Sequence, residues 1–180
     1  YNLGELLLKD EELTEAAEHF SAALRLKPGH VEVYRKLADI LLRQGRYQEA
    51  IVHIARIAEL APNFASYYNL GSALLETGQY DAAIIQLNRS LQLEPNNALG
   101  HNNMANALVG LKRIDEAMAH YAAALRIKPD LISARMNLGR ILKQQGRRHE
   151  AAEQFLLVIQ FDPQNDTAMR QLEGLKMITP

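Results

Sequence analysis

Five prolines set the frame for this chain of 180 residues. Pro28, Pro62, Pro95, Pro129 and Pro163 lie 34, 33, 34 and 34 residues apart. A fixed period of this length marks stacked helical repeats, because one copy cannot bury its apolar faces alone. Other registers keep the same beat. Twelve residues before each proline stand Ala16, Ala50, Ala83, Ala117 and Ala151, and twenty-one before stand Leu7, Leu41, Leu74, Leu108 and Leu142. Twenty-four before, the residue is small: Gly4, Ala38, Gly71, Ala105 and Gly139. Eight before, it is bulky: Phe20, Ile54, Leu87, Tyr121 and Phe155.

Within one period the apolar spacing is helical. Leu70, Leu74 and Leu75 mark one helix, and Ala83, Ile84, Leu87 and Leu91 a second. Between them ETGQY (76–80) supplies turn chemistry, with Gly78 free to take the positive φ that ends a helix. Each proline stops the second helix. The pattern predicts helices near 1–9, 13–26, 30–43, 47–60, 64–77, 81–93, 97–110, 114–127, 131–144 and 148–161, with another near 165–177. The chain therefore reads as all-α, a single solenoid over 1–180. Its helical hairpins fall at about 1–29, 30–63, 64–97, 98–131 and 132–165, the first of them truncated. The last segment, DTAMRQLEGLKM (166–177), reads as a capping helix with Met169 and Leu172 inward and Arg170, Gln171, Glu173 and Lys176 outward. The small residue of the first helix is expected to face the repeated alanine of the second, so that the backbones approach closely. A bulkier side chain at Ala83 or Ala117 would then overpack the contact by roughly 1–3 kcal/mol.

These residues resemble the tetratricopeptide repeat, whose pattern is an aromatic, Leu-Gly, a Tyr-type position, Ala, an aromatic, Ala and Pro. The third repeat supplies Tyr67, Leu70, Gly71, Leu74, Ala83, Leu87 and Pro95. The fourth and fifth repeats depart at the aromatic position with His101 and Arg135. The first and fourth carry Glu11 and Lys112 where the others have a turn glycine. The resemblance implies a right-handed superhelix with the first helices lining a concave wall. Counting each proline as position 32, the inward positions are 2, 5, 6, 9, 12 and 13. Position 6 holds Asn2, Lys36, Asn69, Asn103 and Asn137, a nearly continuous row. An Asn carries one acceptor and two donors on a short stem, suited to the backbone of an extended peptide. This row is similar to the asparagine ladder of O-GlcNAc transferase repeats. The plainer role for such an Asn is to solvate the groove or bond to a neighbouring helix. With Arg35, Tyr68, Ser72, Asn102, Asn106, Met136 and Arg140, the row makes the expected peptide-binding wall. The family's carboxylate clamp is absent from the pattern: Asp39 stands where Asn is wanted, and Leu99 where Lys is wanted.

Composition narrows the rest. The formal net charge is -1 and the sequence pI about 6.7. That argues against a polyanion binder, so no nucleic-acid partner is expected. The cysteine count is 0, which excludes disulfides and thiolate chemistry. The apolar runs are too short to span a bilayer, and no membrane insertion is expected. No catalytic or metal-binding spacing occurs, and no cofactor is implied. His19, His30, His53, His101, His120 and His149 show no pairing at helical spacing, and each reads as a surface or half-buried structural residue. The acidic pairs Glu11-Glu12 and Asp115-Glu116 stand where helices begin, where the helix dipole favours them. The expected function is a non-enzymatic scaffold holding an extended, partly acidic partner segment in its groove, with a cytoplasmic setting as the default. Two alternatives are an accessory substrate-recognition array of a larger glycosyltransferase-type enzyme and a structural protein that self-associates end to end.

Overall fold

The structure, a computed structural model, describes residues 1–9 and 11–176. Among the described residues there are eleven helices and no strand. They are α1 (Asn2–Lys9), α2 (Leu13–Leu26), α3 (Val31–Arg43), α4 (Tyr47–Leu60), α5 (Phe64–Glu76), α6 (Tyr80–Leu93), α7 (Ala98–Gly110), α8 (Ile114–Ile127), α9 (Ile132–Gln144), α10 (Arg148–Phe161) and α11 (Asp166–Lys176). The expected starts at 30, 97 and 131 are the N-caps His30, Asn97 and Leu131, one residue outside the helix proper. Met177, the expected end of the last helix, lies outside the described residues.

Consecutive helices pack as antiparallel pairs: α1 on α2, α3 on α4, α5 on α6, α7 on α8 and α9 on α10. The chain divides into two compact units, the first running from Tyr1 to Glu94 and the second from Pro95 onward. In the first unit Phe20, Val33, Leu37 and Ile40 form a core with Leu7, Leu8, Leu13 and Leu24 against it. In the second, Leu142, Phe155 and Val158 are joined by Ala168, with Leu172 and Leu175 packed alongside. The last helix thus buries a stripe of Ala168, Leu172 and Leu175. Gln171, expected outward, is half-buried and accepts from Lys143 Nζ at 3.0 Å.

The repeated small residue meets a different partner from the one expected. A Cβ on Gly71 would lie 2.7 Å from Leu87 Cγ and 3.2 Å from the Leu87 nitrogen. On Gly139 it would lie 2.7 Å from the Phe155 ring. The small residue therefore makes room for the bulky residue eight before the proline, and the repeated alanine is not among the nearest neighbours. Bulk on one helix and its lack on the other are one feature seen from two sides.

The turns within hairpins share one geometry. Gly45, Gly78 and Gly146 have φ of 71°, 74° and 77°, and Glu11 and Lys112 take 60° and 61° at the same place. The hydrogen bonds of the turn survive the substitution. Arg46 N donates to Leu41 O at 2.8 Å, and Arg113 N to Leu108 O at 2.9 Å. This pattern closes the exposed carbonyls of a helix C-terminus.

The single 33-residue spacing is also explained. Helices α3, α7, α9 and α11 begin three residues after their proline, whereas α5 begins two after Pro62. The lost residue comes from that turn. Elsewhere the residue at position 4 donates back to the proline carbonyl six residues earlier: Tyr34 hydroxyl to Pro28 at 3.1 Å, Arg135 Nε to Pro129 at 2.7 Å. His101 Nε2 lies 3.0 Å from the Pro95 carbonyl in the same arrangement. His101 and Arg135 thus keep the link although they abandon the aromatic. The short turn before α5 is closed instead by a capping box. Ser66 N donates to Asn63 Oδ1 at 2.9 Å, and Asn63 N donates to Ser66 Oγ at 3.0 Å.

Candidate functional site

Position 6 of one repeat reaches toward position 9 of the repeat before it. In the first unit Lys36 Nζ lies 3.2 Å from Glu5 Oε1, with both side chains half-buried. In the second, Asn137 Nδ2 donates to Asn106 Oδ1 at 2.9 Å. Arg140 donates to Asn137 Oδ1 at 3.1 Å, and the buried Tyr121 hydroxyl donates to Asn106. These links staple adjacent first helices together. Lys36, Asn137 and Asn106 are therefore already engaged within the fold.

One such link is missing. Asn69 on α5 stands opposite Asp39 on α3, but Asp39 pairs with Arg43 at 3.1 Å on its own helix. Among the described residues the Asn69 side chain has no hydrogen-bond partner. A cleft of about 540 Å³ opens here, lined by Arg35, Asp39, Asn69, Ser72 and Glu76 at its rim. The rest of the lining is mostly apolar, with Ala38, Ile54 and Ile57 buried at the floor beside the buried Ser66, and Leu42, Ala65 and Ala73 nearer the opening. Ala73 is what leaves the room. Its register holds Leu6, Ile40, Ala107 and Ile141 in the other repeats, and Ile40 and Ile141 are buried there. Glu76 has no ion pair or hydrogen bond among the described residues, so its carboxylate is free at the rim.

The structure divides the expected wall into groups. Arg35, Asn69 and Ser72 meet at the cleft. Tyr68 is half-buried and its ring is stacked on Phe64, 5.6 Å between centroids. Asn2 is exposed at the start of α1. Asn103 is half-buried and accepts from Asn102 Nδ2 at 3.2 Å. Asn102 and Met136, expected on the open wall, are each only 6 % exposed, and Met136 belongs to the core of the second unit. Position 5 is buried in these two repeats because its residues, Asn102 and Met136, are withdrawn among neighbours, whereas Arg35 keeps its guanidinium in water. Sequence inspection missed the lining residues Ala38, Ile54, Ile57 and Ala73. The one available signal was alanine at a position where Leu or Ile recurs.

Family comparison agrees with this architecture. The family described as "Tetratricopeptide repeat" matches residues 7–74 and 108–175, and a "TPR repeat" family matches 71–112. The chain belongs to the tetratricopeptide repeat family. Among curated relatives, human "Protein O-mannosyl-transferase TMTC3" is 35 % identical over 68 residues, which is 38 % of this chain and 7 % of that protein. "Anaphase-promoting complex subunit 3" of Schizosaccharomyces pombe is 25 % identical over 154 residues, 85 % of this chain and 23 % of that protein. The chain thus spans a small part of these relatives. Among solved structures, MamA superposes with a TM-score of 0.82 at 23 % identity, covering 93 % of this chain and 98 % of that one. YrrB, described as "a TPR protein with an unusual peptide-binding site", superposes at 0.79 with 23 % identity, covering 96 % of this chain and 89 % of that one. These likenesses establish the fold. Among the described residues no helix is long and apolar enough to cross a membrane.

Proposed function

We propose that this tetratricopeptide array is a protein-interaction scaffold that holds an extended partner segment on the first helices of its first unit. The observation that carries this reading is the unengaged Asn69 amide beside an open cleft with a mostly apolar floor. A partner would place one aliphatic side chain over Ala73 and Ile57, while Asn69 bonds its backbone. YrrB, with its described peptide-binding site, supports this reading by analogy of fold.

Selection of random twelve-residue peptides displayed on phage, followed by fluorescence anisotropy, tests it. Selected peptides are expected to share one aliphatic position. Ala73→Ile, which restores the register residue of Ile40 and Ile141, is expected to fill the cleft and weaken binding by about tenfold or more. Asn69→Ala loses one hydrogen bond, worth about 1 kcal/mol or roughly fivefold. Peptides that bind Ala73→Ile as tightly as wild type would remove the cleft from the site.

A second reading rests on the O-mannosyl-transferase similarity: the array presents acceptor proteins to a transferase carried by a longer chain. The cleft would then hold the acceptor. The reading predicts a catalytic domain in the parent reading frame, and a frame without one overturns it.

A further inference from the structure

The fourth repeat carries two imidazoles that face each other. His101 on α7 and His120 on α8 place their Nδ1 atoms 2.9 Å apart, with ring centroids 5.1 Å apart. His101 Nε2 lies 3.0 Å from the Pro95 carbonyl oxygen. A carbonyl only accepts, so His101 carries its proton on Nε2 and keeps a lone pair on Nδ1. His120 must then hold its own proton on Nδ1 and donate it. The chain Pro95–His101–His120 is complete with both rings neutral. Two imidazoles supply only half of a tetrahedral metal set. Among the described residues no group of three or more His, Cys, Asp or Glu gathers around an ion-sized space. The species this pair shares is a proton.

We propose that His101 and His120 form an acid-sensitive latch that holds the turn at Pro95 against the α7–α8 hairpin. Pro95 is the first residue of the second unit, so the latch fixes the segment that opens it. An added proton goes to His120 Nε2 and places a positive charge in a half-buried site beside His101. The packed hairpin disfavours that charge, and parting of the rings relieves it.

The surroundings fit this behaviour. Burial, and then the nearby His101, hold the His120 pKa below its ordinary value, and Glu116 one turn earlier opposes them. Glu116 is itself held by Arg113 at 2.7 Å. Helix α7 has no other titratable side chain. On α9, which packs on α8, Arg135 donates to Pro129 O and Gln154, Arg140 to Asn137 and Lys143 to Gln171. The same two positions are filled in other repeats by Tyr34 with His53 and by Arg135 with Gln154. The Arg135–Gln154 pair shows that the fold accepts a solution here without an imidazole, and burial holds His53 beside Tyr34 below its ordinary value as it does His120.

The direction follows from linkage. The folded His120 value lies below the unfolded one, so the unfolded chain binds protons that the folded chain refuses. The latch contributes fully above about pH 6.5, the ordinary histidine value, and weakens as pH falls below it. The test compares wild type with His101→Arg/His120→Gln, which copies the Arg135–Gln154 pair. Urea melts at pH 7.5, 6.5 and 5.5 are read beside amide exchange of residues 95–103, corrected for the intrinsic effect of pH. From pH 6.5 to 5.5 the wild-type unfolding constant should rise by up to about fivefold more than that of the variant, the limit for one proton fully refused by the folded chain. Exchange protection at residues 95–103 should fall with it in wild type only. If the double variant does not fold, His101→Tyr/His120→Gln, which joins the Tyr34 solution to the Gln154 one, takes its place. Parallel curves for wild type and variant overturn the latch.

Discussion

Asn137 donates to Asn106 Oδ1 across 2.9 Å, and the same oxygen receives the hydroxyl of Tyr121. One acceptor thus joins α7, α8 and α9. The two asparagines are unequal partners. Tyr121 is 1 % exposed, so losing its acceptor orphans a buried hydroxyl. Asn106→Ala should cost about 1–3 kcal/mol, and Asn137→Ala only about 0.5–1.5 kcal/mol. Urea melts rank them, and an equal or reversed order contradicts the network.

Burial pushes the Tyr121 hydroxyl up to about 12. Its folded value is above the ordinary tyrosine value near 10, so the folded chain keeps a proton that the unfolded chain has lost. The contribution is whole below about pH 10 and fades as pH rises toward 12. In a spectrophotometric titration of the 7 tyrosines, one should ionise late, and Tyr121→Phe should remove that late step. A wild-type curve with no late step would show the hydroxyl to be wet.

Gly71→Ala tests the reciprocal fit of small and bulky residues. Alanine favours a helix over glycine by about 1 kcal/mol, yet its Cβ would press on both the side chain and the backbone of Leu87. Backbone does not yield, so a net loss of roughly 1–3 kcal/mol is expected. Gly139→Ala meets only the Phe155 ring among its nearest atoms and should cost less. Thermal melts of the two variants give the order.

Lys112 holds a φ of 61° without being glycine. The left-handed region costs a side-chain-bearing residue about 1–2 kcal/mol, part of which glycine returns through unfolded-state entropy. Lys112→Gly should stabilise the second unit by about 0.5–1 kcal/mol in urea melts. A destabilised variant would mean that the lysine side chain holds something the turn needs.

The helices were legible from the sequence to within a residue, since their period, prolines and turn residues are local properties of the chain. The cleft was not. It depends on Ala73 leaving space beside Ile57 and on Asp39 choosing Arg43 over Asn69, choices made between helices. Asn69 and Asn137 look alike in the sequence, and only their neighbours separate an unengaged amide from a spent one. The histidine pair was hidden for a related reason: His101 and His120 are nineteen residues apart, a distance no helical spacing relates.

Sequence alone determined the repeat, its hairpins and the places of bulk and smallness, because a 34-residue period of apolar residues can bury itself in few ways. The tertiary structure decided which polar side chains are spent on neighbouring helices and which remain unengaged. Hydrogen bonds are made in three dimensions, and a residue's partner is set by the helix packed beside it rather than by the letter next to it.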